Sequence, residues 1–229
     1  MTEIQLVIFD CDGVLMDSEI VAAEAELEIY SEYGIKMEPK EFSERFAGKD
    51  SALIKLDIEQ ELGRKLPDDI MKKIHANVNA MCALEAKMIK DADTVLDLLD
   101  QARCICSNGP QDKMKKMLSR VGLYDKFRPY IFSAKDLDPP KHKPEPDIIL
   151  KALKELELES AQAIVVEDSK YGIEAAKRAG TRVIGFTGAS HTYPTHADEL
   201  IDAGAETVIS RLSELPAIIE AFSTWDGME

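Results

Sequence analysis

Short apolar runs that end on polar residues alternate along this chain with longer stretches of helical spacing. Ile4 to Phe9 is an apolar run too short for a buried helix, and it reads as a buried strand ending on Asp10-Cys11-Asp12-Gly13. Asp17-Ser18-Glu19 opens a helical stretch to about Tyr33, with Ser18 placed as its N-cap and Gly34 where a helix end favours glycine. From Met37 to Lys90 the text reads as helical throughout, over Ser51 to Leu62 and Asp68 to about Ala86, with Gly63 and Pro67 as punctuation. No strand is predicted between Gly13 and about Ala102, so residues 16–90 read as a helical insert.

The pattern then changes. Helices over Thr94 to Leu99, Pro110 to Val121, Pro146 to Leu156, Tyr171 to Ala179 and Leu212 to Phe222 alternate with short apolar runs. Those runs, Arg103 to Ser107, Ile131 to Ser133, Ala163 to Val166, Arg182 to Phe186 and Thr207 to Ile209, read as strands. This alternation predicts an α/β fold with a doubly wound, mostly parallel sheet. The first strand belongs to that sheet. The expected organisation is a discontinuous α/β core, residues 1–15 and 91–229, with a small all-helical domain, residues 16–90, inserted after the first strand.

Composition narrows the function classes. The 229 residues are 45% hydrophobic, enough for a sizeable core, and the formal net charge is −15. So acidic a chain argues against nucleic acid or an anionic membrane as partner, since both demand basic patches. An anionic small substrate stays compatible, because a metal or a lysine makes a site locally positive. No apolar run approaches the ~20 residues needed to cross a bilayer. The N-terminus has no basic region followed by a long apolar one, which predicts no signal peptide. Cys11, Cys82, Cys104 and Cys106 show no CxxC spacing, and Cys104 and Cys106 read as small core residues sharing one strand face. A reducing, cytoplasmic setting is expected. Monomer and homodimer are equally open.

The candidate chemistry lies at the strand ends. On a strand, residues i and i+2 point to one side, so Asp10 and Asp12 converge at the carboxyl end of the first strand, where open α/β sheets bind ligands. Two acids there suit a division between nucleophile or metal ligand and acid/base, though an Asx-rich turn has the same composition. Ser107-Asn108-Gly109-Pro110 follows a strand and opens a helix. Its free backbone N–H groups and the Ser107 hydroxyl suit an anion such as phosphate, while a capped turn accounts for the same residues. Lys143 sits in the proline-stiffened Lys141-His142-Lys143-Pro144-Glu145-Pro146, able to aim an ammonium at a phosphate and a carboxylate or to stand as a surface lysine. Glu167-Asp168-Ser169 ends another apolar strand and supplies the hard oxygen ligands that Mg2+ prefers; a helix cap is the other reading. His75 and His196 read as structural or solvated. His191 and Tyr193 lie in a loop that reads as a connector or as a pocket edge.

Together, Asp10-x-Asp12-Gly13, Ser107-Asn108, Lys143-Pro144 and Glu167-Asp168-Ser169 resemble the haloacid dehalogenase-like (HAD) hydrolase superfamily. Gly172, Ala175, Ala176, Ala179 and Gly180 match its usual helix pattern, and the likeness covers essentially the whole chain. It implies a Rossmann-like core whose helical insert is the small cap of the phosphatase and β-phosphoglucomutase-like subfamily. The likeness is closest to bacterial sugar-phosphate phosphatases, including 6-phosphogluconate phosphatase-like members. The resemblance implies an enzyme, a phosphoric monoester hydrolase acting on a phosphorylated small molecule such as a sugar or sugar-acid phosphate. Asp10 would be an ionised nucleophile that forms an aspartyl-phosphate, and Asp12 the general acid and base. Mg2+ would be held by Asp10, the Asp12 carbonyl and Asp168, with Glu167 in support. Ser107, Lys143 and amides near Cys11 and Asn108 would bind the phosphoryl oxygens. The implied cap segment that reads the leaving group includes Gly48, Lys49, Asp50 and Ser51, the last of which is equally placed to cap a helix.

Dehalogenases of the superfamily lack the second motif aspartate, so Asp12 favours phosphoryl chemistry. The hinge histidine of the mutases falls at Ala22, which leaves a hexose phosphomutase as the alternative, beside a phospho-ligand binding protein without turnover. Where the family often has Gly-Lys-Pro this chain has His142-Lys143-Pro144. Lys141 therefore competes for the lysine role, with Pro144 favouring Lys143.

Overall fold

A computed structural model describes residues 3–46 and 51–224. The chain runs β1 (Leu6–Phe9), β2 (Met16–Asp17), α1 (Glu19–Ser31), α2 (Pro39–Arg45), α3 (Ser51–Leu62), α4 (Ile70–Glu85) and β3 (Lys87–Met88). It continues through α5 (Ala92–Leu98), β4 (Ala102–Ser107), α6 (Gln111–Arg120), α7 (Tyr124–Phe127), β5 (Ile131–Ser133) and α8 (Asp147–Glu155). The remaining elements are β6 (Ala163–Glu167), α9 (Lys170–Ala179), β7 (Arg182–Phe186), α10 (His196–Asp202), β8 (Thr207–Ile209) and α11 (Leu215–Thr224).

Six strands form one sheet in the order β5-β4-β1-β6-β7-β8, and every neighbouring pair is parallel. Because side chains alternate along a strand, Val7 and Phe9 pack on one face with residues of α5, α6, α7 and α11. Leu6 and Ile8 pack on the other with α8, α9 and α10. Both faces are covered, which is why β1 and residues 163–166 of β6 read as uninterrupted apolar runs. The predicted α/β class holds. Cys104 and Cys106 are free, buried core residues on the expected shared face.

Helices α1 to α4 bury a core of their own around Tyr30, Phe42, Ile58 and Ile74. The expectation that no strand lies between Gly13 and Ala102 is corrected. β2 and β3 pair antiparallel, Met16 with Met88 and Asp17 with Lys87, where the chain leaves the sheet for the helices and where it returns. Two residues per strand are too short for an alternation to register in sequence. Pro39 opens α2, a helix that the continuous helical reading did not separate. The final helix begins with a 3-10 turn, Leu212–Glu214, before α11. Among the described residues no helix is long and apolar enough to cross a membrane.

Candidate active site

The order of the sheet reverses around β1, which lies between β4 and β6. The crevice outside the carboxyl ends of these three strands is where open α/β sheets take ligands. Register brings Phe9 level with Ile105 and Val166, so Asp10, Ser107 and Glu167-Asp168 all emerge at one edge. A cavity of about 330 Å³ opens there, bounded by these residues on the sheet side and by α1, α2 and α3 opposite.

Lys143 is buried, which overturns the surface-lysine reading. Its Nζ lies 2.6 Å from both Asp10 Oδ1 and Glu167 Oε1. Its backbone N–H donates to Asn108 Oδ1 at 2.9 Å, so the 141–144 loop is tied to the turn after β4. Lys141 is exposed and pairs with Asp147 instead. Burial pushes the Lys143 pKa down, but the two carboxylates outweigh it and the ammonium is held charged.

Asp10 does not behave as an ordinary carboxylate here. Burial raises its pKa well above the usual range. Lys143 opposes this, while Glu167, Asp168 and Asp12 add to it. Glu167 is raised by burial in the same way, and its Oε2 accepts from the Ser169 amide and hydroxyl. Ser169 is the side-chain cap of α9, accepting from Gly172 N at 3.1 Å. Gly172 is required there, since a Cβ would stand 1.8 Å from Glu167 Oε1.

Asp12 has an anchor that motif reasoning missed. Lys113 Nζ lies 2.8 and 2.9 Å from its two carboxylate oxygens, and the Ser18 hydroxyl donates to Oδ1 at 2.6 Å. Burial raises the Asp12 pKa, but Lys113 and Ser18 outweigh it and hold the group below the usual value. Ser18 does stand at the N-cap of α1, yet its hydroxyl is committed to Asp12 and makes no cap bond. The signal for Lys113 is its place on α6: it shares the buried face with Met114, Met117 and Leu118, where an unpaired lysine is not tolerated.

Asp168 is enclosed more closely than its motif implies. Gly13 has φ +77°, and a Cβ on it would lie 1.8 Å from Asp168 Oδ2, so the glycine makes room for the carboxylate. His191 Nε2 is 3.2 Å from Asp168 Oδ2, and His196 Nε2 is 2.6 Å from the Asp168 carbonyl. A carbonyl only accepts, so His196 carries its proton on Nε2. Both histidines are buried, which overturns the solvated reading of His196 and leaves its structural one, and His191 lines the cavity as a pocket edge rather than serving as a connector alone. Burial lowers the His191 pKa, while Asp168, Glu19 and Asp17 together push it up to about 8. Glu19, on the cavity wall, is raised to about 7 by burial and by Asp12.

The phosphate-binding candidates also meet at this edge. Ser107 Oγ accepts from Gly109 N at 2.9 Å, leaving its proton free to donate. Asn108 lines the cavity, with its side-chain oxygen taken by Lys143. The Cys11 side chain is buried in the core, and its carbonyl accepts from Leu15 and Met16. Gly48, Lys49 and Asp50 lie outside the described residues. Ser51 opens α3, lines the cavity and donates to Glu26 Oε1 at 3.2 Å.

No three His, Cys, Asp or Glu side chains among the described residues already converge as a metal-binding group. The donor chemistry nonetheless fits Mg2+, which needs only one or two carboxylates beside water and substrate oxygens. Asp10, Asp12, Glu167 and Asp168 crowd together beside the ammoniums of Lys113 and Lys143, and Asp10 Oδ2 accepts no hydrogen bond from the described residues.

Residues 7–186 match the model of the haloacid dehalogenase-like hydrolase family. The chain is 29% identical to the 6-phosphogluconate phosphatase of Escherichia coli (strain K12) over 227 residues, 99% of each chain. A haloacid dehalogenase-like protein of unknown function from Agrobacterium tumefaciens superposes with a TM-score of 0.89 at 46% identity, covering 95% of this chain and 98% of that one. A HAD family hydrolase from Deinococcus radiodurans, solved with bound phosphate and sodium, superposes at 0.81 with 25% identity over 99% and 100% of the two chains. The chain belongs to the haloacid dehalogenase-like hydrolases, on the phosphatase branch of that family.

Proposed function

We propose that the protein is a Mg2+-dependent phosphatase that hydrolyses a small phosphorylated metabolite, a sugar or sugar-acid phosphate, through an aspartyl-phosphate on Asp10. The observation that carries this reading is the Asp10–Lys143–Glu167 triad at the cavity floor, with Asp12 two residues on and separately anchored. Lys143 holds Asp10 Oδ1 and leaves Oδ2 as the attacking oxygen; the attack needs the ionised carboxylate, which the Lys143 ammonium favours against the burial that raises the Asp10 pKa. The Asp10–phosphorus bond forms as the ester P–O bond breaks, and Asp12 gives a proton to the departing alkoxide. In the resting arrangement Lys113 holds Asp12 as a carboxylate, so the acid role requires Asp12 to leave that ion pair and take up a proton from solvent as substrate charge enters. Asp12 then takes a proton from water, the hydroxide attacks phosphorus, and the acyl-phosphate P–O bond breaks to return Asp10. Asp10, the Asp12 carbonyl and Asp168 would hold Mg2+, with Glu167 in support. The cation would offset carboxylate–phosphate repulsion and stabilise the transferring group. Ser107, Lys143 and the amides near Cys11 and Asn108 would take the phosphoryl oxygens.

Residues 16–90 serve as a cap that closes over the leaving group and excludes water. Ser51, with the 48–50 segment before it, would read that group. Ala22 lines the cavity and offers no proton-transferring or hydrogen-bonding side chain where the mutases of the family carry histidine, which favours hydrolysis over mutase chemistry. The sugar class is supported by the 6-phosphogluconate phosphatase likeness. Four free, buried cysteines suit a cytoplasmic setting. The test is phosphate release from a panel of sugar phosphates, sugar-acid phosphates and phosphoglycolate. Release from a sugar-type ester that is abolished by chelator and by Asp10→Asn is the expected result. Release that survives Asp10→Asn would overturn the assignment of the nucleophile.

A further inference from the structure

We propose that His191 is a positioning residue that sets the Asp168 carboxylate for the cation, and that a clamp between Asp17 and Ser190 holds His191 there. The inference rests on the Mg2+ reading above. The loop after β7 is built rather than slack. Thr187 N donates to Ile209 O at 2.9 Å, and Thr192 Oγ1 donates back to Thr187 O at 2.9 Å. Between them, Ser190 donates through both its amide (3.0 Å) and its hydroxyl (2.8 Å) to Asp17 Oδ1. Asp17 belongs to β2, on the crossing between sheet and helices, so the clamp joins two regions 173 residues apart in sequence.

That clamp fixes the neighbouring His191. Its Nε2 reaches Asp168 Oδ2 at 3.2 Å, and its ring lies so close to Gly13 that a Cβ there would be 3.1 Å from Cε1. The Asp168 carboxylate is therefore held between the Gly13 backbone and an imidazole. The Asp168 carbonyl is pinned separately by His196, whose ring stacks on Tyr193 at 4.8 Å and 15°. With Oδ2 engaged by His191, Oδ1, which accepts no hydrogen bond from the described residues, is the oxygen left to a cation. Hydrogen-bonded partners behind a metal ligand fix its orientation, and removing them typically weakens metal binding by about 10–100-fold. The same contacts link the crossing strand to the cation ligand, so the placement of the helices and the affinity for Mg2+ depend on one set of bonds.

The test is calorimetric titration of Mg2+ into the wild type, His191→Ala, His191→Gln and Asp17→Ala, with the apparent Mg2+ constant and substrate KM measured alongside. His191→Ala is expected to weaken Mg2+ binding by about 10–100-fold while substrate KM at saturating Mg2+ stays near wild type. Gln places an N–H donor near the position of Nε2 and is expected to restore most of the affinity. Asp17→Ala is expected to weaken binding in the same direction by several-fold, and it carries the test if His191→Ala does not fold. Mg2+ affinity within about twofold of wild type in a folded His191→Ala, or in Asp17→Ala when that variant stands in, would overturn the inference. Equal weakening by Gln and Ala would overturn its hydrogen-bond basis. A wild type that binds no Mg2+ would overturn the metal reading itself, and this inference with it.

Discussion

Asp12 stands between Lys113 and Ser18, and its chemistry depends on which of its partners it keeps. Lys113 holds the carboxyl low against the burial that pushes it up. In Lys113→Met the burial of the carboxyl is no longer opposed by that ammonium, and the Asp12 pKa rises. Asp12 acts as a base toward water in its carboxylate form, so a raised pKa moves the acid limb of the kcat profile to higher pH. The loss of kcat near neutral pH is expected to reach about 10²-fold, the lower range for a mispositioned acid–base group. The measurement is a pH–rate profile of both proteins at saturating Mg2+ and substrate; an acid limb that stays in place would show that Lys113 does not tune Asp12. Asp10, Asp12, Lys143 and Asp168 were legible in the sequence because each ends a strand or sits beside a proline. The contacts of Lys113 and His191 were not, because their partners lie 101 and 23 residues away and no local spacing records such a pairing.

At the scale of elements, the helices of residues 16–90 are held by a core of their own and by an ionic knot on α3. Glu59, on α3, accepts from Lys55 (2.8 Å), Lys65 (2.8 Å) and the Leu66 amide (3.0 Å). The lysine and amide donors hold its carboxyl down to about 2. A folded-state pKa below the ordinary value means that the stabilisation is fully present above about 4.5 and is lost as pH falls toward 2. Glu59→Gln is therefore expected to lower the thermal midpoint near neutral pH, and the gap from wild type should close as the pH approaches 2. Melting curves at several pH values decide this; a gap independent of pH would remove the ionic account. The helices themselves were readable, with α3 matching its expected bounds, Ser51–Leu62. β2 and β3 were not, since a strand of two residues has no period.

For the whole molecule, the sheet order does most of the positioning. A chain that lays β4 and β5 on one side of β1, then β6, β7 and β8 on the other, brings three loop ends to one crevice. The helices inserted after β1 then form the opposite wall of the cavity. Strand alternation and the apolar runs made this α/β arrangement legible. The depth at which Lys143 is buried was not, because it follows from packing across β1 and β6 and leaves no trace in local pattern. The arrangement is useful as a catalyst only if the group at its centre, Asp10, bonds covalently to phosphorus. The direct test is acid quenching during turnover of a cleaved sugar phosphate, reduction with borohydride, and mass spectrometry of the peptide spanning Asp10. An acyl phosphate on Asp10 is reduced to homoserine at that position, and this conversion is expected in the wild type with Mg2+ and substrate and absent without substrate. Turnover with no modification of Asp10, or with homoserine at another acid, would contradict the account.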